Sequence, residues 1–128
     1  MESRYLIDSN VIIDFLAARL PDPGNAFVGR IIDEVPNLSV ITKIEILGFS
    51  NSPIVQSMLQ SLIDSSLVFQ LADQIIEKTI ELRKRIRIKI PDAIIASTAL
   101  SENMVLMTHN AQDFKNIPNL AIIDPWSI

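Results

Sequence analysis

The chain alternates short apolar runs with longer segments whose hydrophobic residues recur at helical spacing. Tyr5-Leu6-Ile7 is the first run, and Asp8-Ser9-Asn10 follows it. Asp, Ser and Asn favour helix caps, so this reads as a buried strand feeding a helix. Val11 to Ala18 carries the helical pattern, and Pro21, Pro23 and Gly24 break it. Ala26 to Glu34 predicts a second helix, with Phe27, Ile31 and Val35 at helical spacing. Leu38-Ser39-Val40-Ile41 predicts a second strand, and Thr42 begins a helix running to about Phe49. Pro53 to Ile63 predicts a helix with Ile54, Met58, Leu59 and Leu62 on one face. Leu67-Val68-Phe69-Gln70 is a third strand, and Asp73 to Arg85 a charged amphipathic helix with Ile76, Ile80 and Leu82 inward. Pro91 suits a first helical position, so Asp92 to Leu100 is the next helix, small and apolar enough to pack closely on a sheet. Val105-Leu106-Met107 and Leu120-Ala121-Ile122-Ile123 are the last strands. Strands alternating with helices predict an α/β domain with a mainly parallel, roughly five-stranded sheet.

Composition narrows the function classes. At 128 residues the chain is expected to be a single domain spanning 1–128. Hydrophobic residues make up 48%, enough to bury a core. There is no cysteine, which excludes disulfides and thiolate metal sites and suits a reducing cytoplasm. Met1-Glu2-Ser3-Arg4 runs straight into a strand, so no signal peptide is expected. No apolar run reaches the ~18 residues of a membrane span, and no membrane association is expected. The net charge of −4 argues against a general nucleic-acid coating protein. One segment is basic nonetheless: Arg83, Lys84, Arg85, Arg87 and Lys89 directly precede Pro91-Asp92. A solvated helix end accounts for such a segment equally well, since basic side chains favour the last turn of a helix.

The chemistry lies in four acids, Asp8, Glu45, Asp92 and Asp113, each at a predicted strand-to-helix transition. In an open parallel sheet the carboxyl ends of the strands share one edge, where ligands bind. Four carboxylates gathered there would repel one another unless a cation sat among them, and a hard divalent ion takes oxygen ligands. Each acid also has a structural reading. Asp8 suits a helix N-cap. Thr42-x-x-Glu45 has the form of a capping box. Asp92 lies in a first helical turn, where a carboxylate complements the helix dipole. Asn110 is placed to cap a turn containing Asp113. Capping explains single acids but does not require them to converge. Asp124 before Pro125 reads as a turn residue. His109, the only histidine, reads as a surface residue and cannot build a His-rich zinc site. With glycine only at 24, 29 and 48, there is no phosphate-binding glycine loop and no serine-hydrolase elbow.

The ordered set of motifs resembles the PIN-domain family, and within it the VapC-like toxin ribonucleases of toxin–antitoxin pairs. Tyr5-Leu6-Ile7-Asp8-Ser9-Asn10-Val11 resembles the family's first strand and acid, with Ser9 where threonine is common. Ile41-Thr42-Lys43-Ile44-Glu45 resembles the second acid's segment, and Ile90-Pro91-Asp92-Ala93-Ile94-Ile95-Ala96 the third. Thr108-His109-Asn110-Ala111-Gln112-Asp113-Phe114 resembles the closing motif, with His109 where a basic residue, often arginine, is usual. Ile122-Ile123-Asp124-Pro125-Trp126 is similar to the family's ending. The resemblance implies a three-layer α/β/α domain and metal-dependent hydrolysis of RNA phosphodiester bonds. Asp8 and Asp92 would hold the main Mg²⁺ or Mn²⁺ ion, with Glu45 and Asp113 completing the site. Asn10, Thr108 and Asn110 would orient carboxylates or water. Arg83, Lys84, Arg85, Arg87 and Lys89 are the candidate contacts to the RNA backbone. A homodimer and a cognate antitoxin are implied partners; the sequence does not identify the dimer surface, for which exposed apolar residues near Phe49 to Leu62 are candidates.

Two rivals stand beside this reading. One is a binding module of the same fold that has lost cleavage, against which the complete acid set argues. The other is a phosphoacceptor receiver domain. That type places an acid pair at the first strand and a lysine on a late strand, whereas Asp8 stands alone and Val105-Leu106-Met107-Thr108 offers no lysine.

Overall fold

The computed structural model describes residues 4–49 and 51–128. Met1–Ser3, on which the expectation of no signal peptide partly rests, lie outside the described residues. So does Ser50, within the stretch that holds the candidates for a dimer surface. Among the described residues five strands form one sheet in the order β3-β2-β1-β4-β5, with every neighbouring pair parallel. They are β1 (Tyr5–Ile7), β2 (Asn37–Ser39), β3 (Leu67–Phe69), β4 (Val105–Met107) and β5 (Ile122–Ile123). The helices are α1 (Ser9–Leu16), α2 (Asp22–Asp33), α3 (Val40–Leu47), α4 (Pro53–Asp64), α5 (Asp73–Arg85) and α6 (Ile90–Ser101). Two 3-10 turns, Ala111–Phe114 and Pro125–Ser127, complete the order.

The strands are only two or three residues long, yet each central one feeds both faces, because successive side chains point to opposite sides. Ile7 and Met107 join Val11, Ile12, Val28, Leu38, Ile46, Leu59 and Ile63 on one face. Leu6 and Leu106 join Leu82, Ile95, Ala96, Ala99 and Phe114 on the other. The result is a sheet between two helical layers. The chain runs β1-β2-β3 toward one edge, then returns to place β4 and β5 on the opposite side of β1. The order therefore reverses between β1 and β4, which is where a doubly wound sheet opens a crevice at its carboxyl edge.

Several elements differ from the sequence expectation. Pro23 and Gly24 lie inside the first turn of α2, where proline's missing N–H is no loss. Ser39 caps α3 by accepting from the Ile41 N–H at 3.1 Å, so Thr42 lies within the helix rather than at its start. The face of α5 is turned by one residue. Ile75, Thr79 and Leu82 are buried, whereas Ile76 and Ile80 are 40% and 50% exposed. Thr79 tolerates the core because its hydroxyl donates to the Ile75 carbonyl at 2.7 Å. On α4, Leu59 and Ile63 face inward, and Ile54 and Met58 are exposed.

Candidate active site

Asp8 stands where β1 ends at the switch point. Its backbone N–H donates to the Met107 carbonyl at 2.9 Å, which ties it to the end of β4. It is also the N-cap of α1, with one carboxylate oxygen accepting from the Ser9 N–H at 2.9 Å. The capping reading is thus realised, but it occupies only Oδ1. Oδ2 accepts from Thr108 Oγ1 at 2.8 Å and from Asn10 Nδ2 at 3.1 Å. The residue is 6% exposed. Burial pushes the Asp8 pKa above the ordinary aspartate value, outweighing the bonds from Thr108, Ser9 and Asn10 that favour the anion, and the Asp113 charge adds to the rise.

The other three acids interact electrostatically with this group. Glu45 lies within α3 as an exposed residue, but its carboxyl is partly screened from water, and Ser9 Oγ donates to Oε1 at 3.2 Å. Its pKa is raised by that screening and by the charges of Asp8 and Asp92, against the Ser9 bond. Asp92 is the third residue of α6 and half-buried. Loss of water raises its pKa, the charges of Asp113 and Asp8 raise it further, and Lys89 lowers it. Asp113 is exposed in the 3-10 turn, with its N–H donating to the Asn110 carbonyl at 3.0 Å. Asp8 and Asp113 each raise the pKa of two of the other carboxylates, and Asp92 raises that of Glu45. The convergence is electrostatic rather than a preformed cage. Among the described residues no three acidic or histidine side chains are gathered closely enough to hold a metal ion as they stand. The donor set nonetheless fits a hard divalent cation: all oxygen, no thiolate, and surplus negative charge that neighbours already push toward protonation.

The polar frame around Asp8 is settled by donor and acceptor logic. The His109 backbone N–H donates to Asn10 Oδ1 at 3.0 Å, so the Asn10 amide must turn Nδ2 toward Asp8 and Thr108. Thr108 Oγ1 donates to Asp8 and accepts from the Asn110 N–H at 3.0 Å. Asn110 contributes through its backbone, and no side-chain cap bond is made to the turn that follows it.

The basic segment divides. Arg83, Lys84 and Arg85 form the last turn of α5, as the solvated-end reading expects. Arg85 pairs with Glu81 at 3.4 Å, and Arg83 donates to the Ile88 carbonyl at 3.1 Å. Arg87 is exposed between α5 and α6. Lys89, at the start of α6, is the one whose charge acts on Asp92.

Sequence reasoning missed two groups. Ser9 bridges Asp8 and Glu45, and only its place between an acid and a helix signalled a role. His109 is exposed as expected, but its Nδ1 lies 3.2 Å from both carboxylate oxygens of Asp124, and its ring is tilted over Trp126 with centroids 5.1 Å apart.

Solved structures of the same architecture are numerous. VapBC-1 from nontypeable Haemophilus influenzae is 27% identical, with a TM-score of 0.76 over 97% of this chain and 98% of that one. A toxin–antitoxin complex from Klebsiella pneumoniae is 24% identical, with a TM-score of 0.78 over 97% and 99%. FitAcB from Neisseria gonorrhoeae is 20% identical with a TM-score of 0.80 over 97% and 99%, and at that identity the likeness shows the fold alone. No curated protein matches the chain. The family description "PIN domain" matches residues 5–120, which include all four acids and the whole sheet up to the approach to β5, and the chain belongs to the PIN domain family.

Proposed function

We propose that this protein is a Mg²⁺- or Mn²⁺-dependent endoribonuclease that hydrolyses RNA phosphodiester bonds, and that it is the toxin of a toxin–antitoxin pair. The observation that carries this reading is the mutual influence of Asp8, Glu45, Asp92 and Asp113 around a buried aspartate at the sheet's switch point. Asp8 and Asp92 are the residues that would hold the ion, with Glu45 and Asp113 completing its surroundings. A bound divalent cation supplies neutralisation of the phosphate and lowers the pKa of a water toward neutrality. Thr108 and Asn10 donate to Asp8 Oδ2 and the Ser9 N–H to Oδ1, so the carboxylate is held in one orientation. Ser9 holds Glu45 against the same rim. Lys89 and its basic neighbours offer positive charge to the RNA backbone beside an otherwise acidic site.

Membership of the PIN family supports nuclease chemistry. The similarity to VapBC-1 and to a toxin–antitoxin complex supports a cognate antitoxin as partner. The proposed assembly is a homodimer of single-domain chains acting in the cytoplasm. Among the described residues no helix is long and apolar enough to cross a membrane. A second reading, a PIN module that binds RNA or protein without cleaving, is favoured by one observation: among the described residues no three carboxylates are gathered to hold an ion as they stand.

Calorimetric titration with Mn²⁺ of the wild type and of the Asp8→Asn, Asp92→Asn double variant separates the two, paired with an RNA cleavage assay in Mn²⁺ and in EDTA. Binding lost in the double variant, with cleavage that EDTA stops, supports the nuclease. Less than about tenfold loss of rate in Asp92→Asn would sink it, because metal activation contributes several kcal/mol.

A further inference from the structure

The tail of the chain is wired to the site. Asp124 accepts from the Trp126 backbone N–H at 2.9 Å, forming the Pro125–Ser127 turn, and its carboxylate engages His109 Nδ1. A carboxylate only accepts, so Nδ1 carries the proton of that bond. Trp126 stacks on the His109 ring and donates from Nε1 to Asp14 Oδ2 at 3.0 Å. Asp14 lies on α1, the helix that begins Ser9-Asn10. The His109 backbone N–H then closes the circuit on Asn10 Oδ1. Going round, the links are Asn10, α1, Asp14, Trp126, His109 and Asn10 again, with Asp124 bracing the turn. Pro125 is buried against α2, where only a glycine fits: a methyl on Gly24 would collide with the Pro125 carbonyl oxygen.

We propose that the C-terminal turn Asp124–Trp126 is a positioning element of the carboxylate site, acting through His109 on the Asn10 amide and so on Asp8. Asn10 can present Nδ2 to Asp8 only while its Oδ1 is held, and the group that holds it is a backbone N–H whose residue is pinned by the tail. Asp124 and Trp126 touch no reacting atom. They fix the orientation of a side chain that does touch Asp8.

The test needs no activity assay. Asp124→Ala removes the brace, Asp124→Asn keeps an acceptor for both of its donors, and Trp126→Phe keeps the stack but loses the bond to Asp14. In the metal-free protein, Asp124→Ala shifts or broadens the Asn10 side-chain amide signals in the ¹⁵N–¹H spectrum, and Asp124→Asn restores them. Unchanged Asn10 signals in Asp124→Ala overturn the inference. The second arm rests on the proposed metal site. By calorimetry Mn²⁺ binds Asp124→Ala about tenfold more weakly than wild type, the low end of an outer-shell loss, and Asp124→Asn stays within about twofold. A core variant with the same loss of melting temperature serves as control for general loosening and binds Mn²⁺ normally. Equal Mn²⁺ affinity in wild type and Asp124→Ala overturns the inference. Failure of the wild type itself to bind Mn²⁺ overturns the proposed function instead, and the Asn10 signals then decide the tail's role.

Discussion

Thr108 Oγ1 donates to Asp8 Oδ2 at 2.8 Å across the boundary between β4 and β1, while the equally buried Thr42 hydroxyl finds no partner among the described residues. The pair isolates what a buried hydroxyl is worth. Thr108→Val removes a donor to a buried carboxylate and an acceptor for the Asn110 N–H, so it should cost about 1–3 kcal/mol. Thr42→Val keeps the shape and deletes an unpaired polar atom, so it should change stability by less than about 1 kcal/mol, or raise it. Urea midpoints of the two variants check this. Comparable losses in both would show that Thr42 is hydrogen-bonded in solution.

Asparagine is not a neutral replacement at both main acids. Asp8 accepts from three donors, and an amide there turns an NH₂ toward at least one of them, so Asp8→Asn should destabilise by about 1–3 kcal/mol. Asp92 is held above the ordinary aspartate pKa by loss of water and by Asp113 and Asp8. An acid whose folded pKa is raised contributes stability that is present below its unfolded value, about 4, and is lost as pH rises through the folded value. In metal-free buffer Asp92→Asn should therefore melt higher than wild type at pH 7, with the gap closing as pH falls toward about 4. Melting curves in EDTA across that range decide the matter, and a wild type that melts higher at pH 7 contradicts it.

What was legible in the sequence was local. The bounds of α5 and β4 coincide with the expected Asp73–Arg85 and Val105–Met107, because each strand-to-helix transition is written in a few adjacent residues, while the four acids interact through charge without three of them gathering among the described residues. The capping box at Thr42 and Glu45 misled because Ser39 caps α3 first, leaving Glu45 to take its bond from Ser9 on another helix. The face of α5 misled because Thr79 satisfies its own hydroxyl within the helix and so buries like an apolar residue. The circuit from His109 to Asp124 and from Trp126 to Asp14 was illegible, since its partners are 15 and 112 residues apart and no periodic pattern joins them.

Gly24 is the one glycine whose absent side chain makes room for the tail. An added methyl meets the Pro125 carbonyl oxygen, backbone against backbone, which cannot swing aside as a side chain would. Gly24→Ala gains helix propensity in α2 but must displace the Pro125–Ser127 turn, for a net cost of about 1–3 kcal/mol. Trp126 is the sole tryptophan and half-buried, so its emission should shift to the red as the turn lifts. An unshifted spectrum with unchanged stability would mean that α2 and the tail do not touch in solution.

The basic residues before α6 should be unequal in RNA binding. The Arg85 guanidinium already faces Glu81 at 3.4 Å, and Arg83 is spent on the Ile88 carbonyl. Lys89 is the residue whose charge reaches Asp92, so a phosphate entering among the acids meets its ammonium beside the repelling carboxylates. It caps α6 through its backbone alone, the carbonyl accepting from the Ala93 N–H at 2.9 Å, so truncating the side chain leaves the helix start intact. Lys89→Ala should weaken binding of single-stranded RNA to an uncleaving Asp92→Asn background about three- to tenfold. It should also flatten the log–log salt slope by about 0.7, because one phosphate fewer is neutralised. Arg85→Ala should stay within about twofold, because its removal also frees a competing glutamate. Binding measured at several salt concentrations reads both numbers at once. Equal losses in the two variants would mean that the whole stripe binds RNA diffusely, and unchanged binding in Lys89→Ala would move the RNA path away from the start of α6.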